Sequence, residues 1–199
     1  MNTTFNLEMN TAFEPVMDES RLVCLAQQGD HEKFTRLYDA YVERIYRYVY
    51  FRVDDDSLAE DITSQVFLKV WEKLDTYKAG QSPFMAWIYR IAHNAVIDYY
   101  RTKKTVIPLR SASAVELSHS DETDEKLDSQ IQSQKLREAL RELTKDQQQV
   151  LILKFVSGFS TTEIAKQLRK REGAIRALQM RALQGLAKCP GLQREQSYA

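Results

Sequence analysis

Glycine and proline are scarce in this chain, 6 and 4 in 199 residues, and strand-like alternation is scarce as well. With a composition rich in Leu, Gln, Lys, Arg and Glu, that favours an all-α protein. Cysteine is limited to Cys24 and Cys189. Their separation fits no metal or redox spacing, so two reduced thiols are expected. His31, His93 and His119 are scattered, with no HxxxH or HExxH pair, and no metal site is indicated. There is no GxSxG, no Walker loop, no Gly-rich phosphate cradle and no carboxylate in a recognisable catalytic setting. An enzyme is therefore not expected, nor a cofactor. No run is long enough to span a bilayer and the N-terminus lacks a signal pattern, so a cytoplasmic protein is expected. Net charge is also lacking, at zero, which at first argues against a nucleic-acid partner.

The charge is uneven, however. Between residues 134 and 189, twelve Lys and Arg stand against five Asp and Glu, an excess of seven cations. A basic half within a neutral chain is a footprint for nucleic acid. Residues 1–18 are polar and irregular and read as a tail. Helical periodicity begins at Glu19 and marks four helices up to about Lys104. The first carries Leu22, Val23, Leu25 and Ala26. The second carries Phe34, Leu37, Tyr38, Tyr41, Ile45, Tyr48 and Val49, with Tyr46 and Tyr50 off the stripe as surface or interface aromatics. The third follows Asp54-Asp55-Asp56-Ser57, where carboxylates favour a helix N-terminus. Ile62, Val66, Val70 and Leu74 form its apolar stripe. Phe67 and Trp71 lie beside it, Phe67 more readily as core, while Asp61, Ser64, Gln65 and Lys69 lie outward. A bundle over residues 19–107 follows. Residues 108–130 lose apolar periodicity, mix Ser with Asp and Glu, and read as an acidic flexible linker.

The fourth helix, FMAWIYRIAHNAVIDYYRTKK, is the stretch around which the chain is organised. Ser82 and Pro83 suit its start as N-cap and first helical residue. Phe84, Ile88, Ile91, Ala92, Ala95 and Tyr99 make one apolar face. Trp87, Arg90, Asn94, Asp98 and Arg101 make a second stripe at three- and four-residue spacing, running into Lys103 and Lys104. Aromatics for stacking, amides for base edges and cations for phosphate are the equipment of a single-strand nucleic-acid binder. An amphipathic helix with a salt-bridged outer face accounts for the same stripe on composition alone.

A second domain spans residues 131–190, before a tail at 191–199. Leu136, Leu140 and Leu143 mark its first helix. Thr144-Lys145-Asp146-Gln147 reads as a capping box ahead of Val150, Leu151, Leu153 and Phe155, and Gly158 ends that helix. Ser160-Thr161-Thr162-Glu163 is a second capping box, before Ile164, Ala165 and Leu168. The basic turn Arg169-Lys170-Arg171 leads into a last helix with Ile175, Leu178, Ala182 and Leu186 inward. Two short helices joined by a tight basic turn make a helix-turn-helix. Its outward face then carries Arg176, Ala177, Met180, Arg181 and Gln184, and Lys170 and Arg171 suit phosphate contacts. A helical hairpin for protein contact is the alternative.

The segments AEDITSQVFLKVWEKL and FMAWIYRIAHNAVIDYYR resemble region 2 of bacterial sigma factors. The segment from Arg137 to Lys188 resembles their region 4. The two-domain layout, with regions 1 and 3 missing, is similar to the extracytoplasmic-function group. The resemblance implies a protein that binds core RNA polymerase, locates promoter DNA and helps melt it. By position it implies that Asp61, Ser64, Gln65, Phe67 and Trp71 dock on the polymerase coiled coil. Trp87, Arg90, Asn94, Asp98, Arg101, Lys103 and Lys104 would bind the −10 element, with the loop Tyr77–Ser82 helping to hold a flipped base. Lys170, Arg171, Arg176, Ala177, Met180 and Arg181 would bind the −35 element. An anti-sigma partner is a further family expectation. The alternative is a stand-alone helix-turn-helix regulator, which has no use for the Trp87-to-Arg101 stripe.

Overall fold

The computed structural model describes residues 18–105 and 124–189, and among them every regular element is helical. Residues 1–17, 106–123 and 190–199, which include most of the expected N-terminal tail, residues 108–123 of the expected linker and the expected C-terminal tail, and the side chain of Lys104 lie outside the described residues. The first unit comprises α1 (Glu19–Gln27), α2 (His31–Tyr50), α3 (Asp56–Lys73) and α4 (Phe84–Thr105). The second comprises α5 (Asp124–Arg141), α6 (Lys145–Leu151), α7 (Thr161–Leu168) and α8 (Glu172–Leu186). Helix α5 begins inside the stretch expected as linker.

Helix starts follow the capping chemistry of the sequence closely. Asp30 accepts from the Lys33 N–H and Asp55 from the Ser57 N–H. Thr144 with Gln147, and Ser160 with Glu163, form complete capping boxes. At α4 the expectation is off by one. Phe84 is its first residue and the Pro83 carbonyl accepts from the Trp87 N–H. Ser82 instead presents its carbonyl to the Tyr77 hydroxyl, 2.9 Å away. Helix α6 also departs from expectation. It widens into a π-helical turn at Ile152–Val156, and the chain turns out at Gly158, where φ is +77°. The extra residue in the turn shifts the apolar register. Phe155 is left 60% exposed, and Phe159 takes the core position.

The first unit packs α2 against α1, α3 and α4 around Ile45, Tyr48, Val49, Ile62, Val66 and Ile88. The second packs α6 and α7 on α8 around Val150, Leu151, Ile164, Ile175 and Ala182. The two units share one continuous core rather than standing apart. Tyr89 of α4 meets Phe159 edge-on at 5.0 Å, and the π turn packs on α2. Helix α4 consequently buries Tyr89 and Val96 in addition to its expected stripe.

The seam is specified by polar contacts at the corner between α2 and α3. The four consecutive carbonyls from Phe51 to Asp54 each accept a side-chain hydrogen bond. Gln148 Nε2 donates to Phe51 O at 3.0 Å, Tyr100 Oη to Arg52 O at 2.8 Å, Arg137 Nε to Val53 O at 3.0 Å and Arg141 Nη2 to Asp54 O at 2.9 Å. Three of those donors come from the second unit. Arg137 is 5% exposed; its guanidinium lies 4.0 Å from the Tyr50 ring centre and pairs with Asp56. His93 of α4 sits deeper in the seam. Arg52 Nη1 and Gln149 Nε2 both approach its Nδ1 at 2.9 Å, which makes Nδ1 the acceptor and leaves the ring proton on Nε2. Burial, and secondarily the Arg52 charge, hold the His93 pKa down at about 4.

Replacing Arg137 with alanine strips a charged donor from Val53 O and is expected to cost about 2 kcal/mol of stability. An unchanged urea midpoint would remove Arg137 from the account of the seam. The His93 pKa lies below its unfolded value, so the neutral ring stabilises the fold fully above pH 6.5. That contribution is lost as pH falls from 6.5 toward about 4. Urea titrations across that range are expected to show a steeper loss for the native chain than for His93→Gln, and parallel curves would disprove it.

Candidate polymerase and nucleic-acid interfaces

Three faces carry the residues singled out in the sequence. On α3, Asp61, Ser64 and Gln65 are exposed on one side. Phe67 differs from the expectation of a docking role. It is 5% exposed and meets Tyr38 edge-on at 4.7 Å, so its ring belongs to the packing between α2 and α3. Trp71 is half-buried, stacked on His31 at 5.1 Å and edge-on to Phe34 at 4.7 Å. The apolar group that does face outward is Leu68, 59% exposed one turn beyond Ser64 and Gln65. Its signal was in the sequence: Leu68 falls out of phase with Ile62, Val66 and Val70. The result is an outward stripe of carboxylate, hydroxyl, amide and aliphatic groups on a helix rigidly capped by Asp55. Such a stripe suits a protein partner.

On α4, Arg90, Asn94, Arg101 and Lys103 are exposed and Asp98 is half-buried. Asp98 pairs with Arg101 at 3.0 Å, and Lys103 lies 3.8 Å from Asp54 and 5.7 Å from the Tyr99 ring centre. Trp87 is half-buried, stacked on Phe84 at 5.6 Å with Tyr77 tilted against it at 5.4 Å. The three rings form a cluster at the foot of the loop Tyr77–Ser82. That loop is pinned at its start by Gln27 Nε2, which donates to the carbonyls of Leu74 at 2.8 Å and Tyr77 at 2.9 Å. Lys78, Ala79, Gly80 and Gln81 stand exposed above it. Tyr77 and Phe84 are buried, so of the three rings only Trp87 offers part of its surface, below the exposed loop and at the head of a stripe of cations and an amide.

In the second unit, Arg169 adopts the left-handed conformation at φ 53° and ends α7. Lys170 N–H closes the turn onto Ala165 O at 3.0 Å, and α8 opens two residues later. Thr162 Oγ1 donates to Glu172 at 2.8 Å and sets the angle between α7 and α8. Glu163 is held below the usual carboxylate range by the Ser160 hydroxyl and then the Ser160 N–H, which keeps the α7 cap charged. Ile175 and Ala182 are fully buried, so α8 turns Arg176, Met180 and Arg181 to solvent, with Ala177 half-buried between them. Arg176 pairs with Glu172 at 3.1 Å and Arg181 Nε donates to Ala177 O at 3.2 Å. Arg171 is exposed at the N-cap, and Lys170 pairs with Asp146 at 2.9 Å. This is the geometry of a groove-entering helix preceded by a basic turn.

The second and third faces meet. Arg90 and His93 of α4 line the same 320 Å³ cleft as Gln149, Gln167, Arg169 and Lys170 of the second unit. No reading of the sequence anticipated this, because nothing in either segment marks the other as its neighbour. Among the described residues no helix is long and apolar enough to cross a membrane.

Comparison with known proteins agrees with the architecture. Residues 37–106 match the family model for Sigma-70 region 2, and residues 133–186 match that for Sigma-70, region 4. The chain is 37% identical over 172 residues to the ECF RNA polymerase sigma factor BldN of Streptomyces coelicolor, covering 84% of this chain and 64% of that relative. It is 33% identical over 171 residues to the ECF RNA polymerase sigma factor SigX of Bacillus subtilis, covering 83% and 87%. Two solved structures share the fold at a TM-score of 0.64. One is CnrH in complex with the cytosolic domain of CnrY, at 21% identity, with 83% of this chain and 92% of that chain covered. The other is the sigma factor RpoE in complex with the anti-sigma factor NepR from Bartonella quintana, at 22% identity, covering 82% and 99%. With both regions matched in order, and a third of its residues identical to SigX over most of either chain, this chain belongs to the ECF RNA polymerase sigma factors.

Proposed function

We propose that the chain is an alternative sigma factor that binds core RNA polymerase and directs transcription initiation from promoters carrying a −10 and a −35 element. It works by binding rather than by catalysis, and in the cytoplasm. The observation that supports this reading is the presence, in one chain, of a stripe of half-buried Trp87 and exposed Arg90, Asn94 and Arg101 on α4 and of a helix, α8, that follows a tight basic turn and displays Arg176, Met180 and Arg181. Capturing an unstacked base is worth about 1–3 kcal/mol per stacking contact. Trp87, seated against the buried rings of Phe84 and Tyr77, with Arg90 and Asn94 along the same stripe and Arg101 further down α4, supplies that capture and helps melting. Helix α8 needs only to enter a major groove, with Lys170 and Arg171 on the phosphates. The α3 stripe of Asp61, Ser64, Gln65 and Leu68, with Trp71 at its end, meets the polymerase.

Net neutrality fits this role. A strongly cationic chain would be held on non-specific DNA, whereas linkage of two weak DNA contacts through the polymerase gives affinity only at a promoter. Reading both elements also requires the two units to part. Elements centred about 25 base pairs apart lie about 85 Å apart along B-DNA. A compact chain of this length has a radius of gyration of about 16 Å. The closed arrangement, with Arg90 and Lys170 on one cleft, is then a resting form, and a protein inhibitor of the anti-sigma kind would act by clasping it.

Run-off transcription from a genomic fragment library, with core polymerase present and this chain added or withheld, is the direct test. New start sites sharing two upstream motifs at fixed spacing are expected. Tight sequence-specific duplex binding by the chain alone, with no new starts, would instead favour a stand-alone regulator. Leu68→Asp is expected to weaken core binding at least tenfold with an unchanged melting temperature, and unaffected binding would clear α3 of the docking role. The two native cysteines, one in each unit, accept a donor–acceptor dye pair. Energy transfer between them is expected to fall when core polymerase and promoter are both added, and constant transfer would refute opening.

A further inference from the structure

The outward side of α8 is unusually apolar for a surface in a basic unit. Met180 is 60% exposed and Leu183 44% exposed, and they line one shallow depression with Arg176, Gln179, Gln184 and Ala187. Neither side chain belongs to the core. From Gly173 to Lys188 there is no Asp or Glu, while Arg169, Lys170 and Arg171 stand at the N-terminal end. An apolar strip rimmed by Arg176, Gln179 and Gln184, with no carboxylate from Gly173 to Lys188, does not suit a basic protein partner. It suits a polyanion that itself presents apolar groups in a groove. Duplex DNA does so at one place, the C5-methyl of thymine on the floor of the major groove.

The polar groups of the helix point the same way. Arg176 is engaged by Glu172 and Arg181 by the Ala177 carbonyl. Both guanidinium groups are thus held along the helix, Arg176 on the rim of the depression and Arg181 outside it. Met180 projects into the depression beside Leu183. Methionine is unbranched and polarisable, so its thioether can close over a methyl group without a fixed shape of its own.

We propose that Met180, backed by Leu183, determines specificity in the upstream promoter element by packing on thymine C5-methyl groups. This rests on α8 being the helix that reads that element. It adds a class of base that the helix selects by apolar contact, alongside whatever its arginines select by hydrogen bonding. Covering one methyl group is worth about a fourfold difference in occupancy.

The test uses the holoenzyme on the promoter found by run-off transcription, with each thymine of the upstream element replaced in turn by deoxyuridine. That change removes the methyl and leaves every hydrogen-bonding group in place. The expected result is a thymine at which deoxyuridine lowers initiation about fourfold at limiting holoenzyme. With Met180→Ala, a change at an exposed position that leaves the fold intact, the two templates are expected to perform alike. The inference is overturned if every deoxyuridine template matches its thymine parent, if the penalty persists undiminished in Met180→Ala, or if the element contains no thymine. Arg181→Ala on the unmodified promoter separates the two levels. Weakened initiation there, with no deoxyuridine effect, sinks methyl reading alone. No effect of either change removes α8 from the upstream element and takes the inference with it.

Discussion

The corner between α2 and α3 presents four successive carbonyls, from Phe51 to Asp54, and the closed architecture depends on how they are satisfied. A helix C-terminus leaves its last carbonyls without partners in the helix, and Val53 and Phe51 are too buried to rely on water. Three of the four find donors on the second unit, from Gln148, Arg137 and Arg141. Hydrogen bonding is directional, so this set fixes both the distance and the rotation of α5 and α6 against the first unit. The apolar contacts follow from that placement. Tyr89 can meet Phe159 only because α6 and the π turn have been brought onto α4 and α2.

A seam held by polar groups at its edge and aromatic contact at its centre behaves differently from a hydrophobic core. Every carbonyl and guanidinium in it can be rehydrated when the units part, so opening exposes groups that water accepts. His93 is the group least suited to the closed form once protonated, because its Nδ1 already faces Arg52 and the Gln149 amide. Such a seam suits the proposed opening, and in the closed form it keeps Arg90 of α4 and Lys170 of the basic turn on one cleft. The same logic accounts for the zero net charge of the chain: affinity is withheld from the parts and appears in the assembly.

Much of this was legible in the residues. Apolar spacing at three and four residues marks the α-helices of the described residues, α5 only from its second half, and Asp, Thr and Ser at helix starts mark several of the boundaries. The faces on α3, α4 and α8 were legible because their polar, aromatic and cationic groups recur at helical spacing but out of phase with the apolar stripe. The misses have physical causes. Phe155 was read as core because a π turn has no sequence signature that periodicity can detect. For Phe67 the periodicity favours the core and the structure agrees, while the resemblance alone assigns it to the docking face, where Tyr38 of α2 covers it. Leu68, the apolar residue that does face solvent, was passed over. The start of α5 was placed late because its first turns are acidic and lack an apolar stripe, while a carboxylate-rich start is itself favourable at a helix N-terminus.

The sequence by itself determined the helices, their inward faces, the basic turn and the two regions of the family, since each depends on residues close together in the chain. Only the tertiary structure decided that the two units close on each other, that Arg137 is buried rather than displayed, and that Arg90 and Lys170 share a cleft. Those facts arise from contacts between residues about 80 or more positions apart. Periodicity and capping carry no information across that distance, because they report which face of a helix is covered and not what covers it.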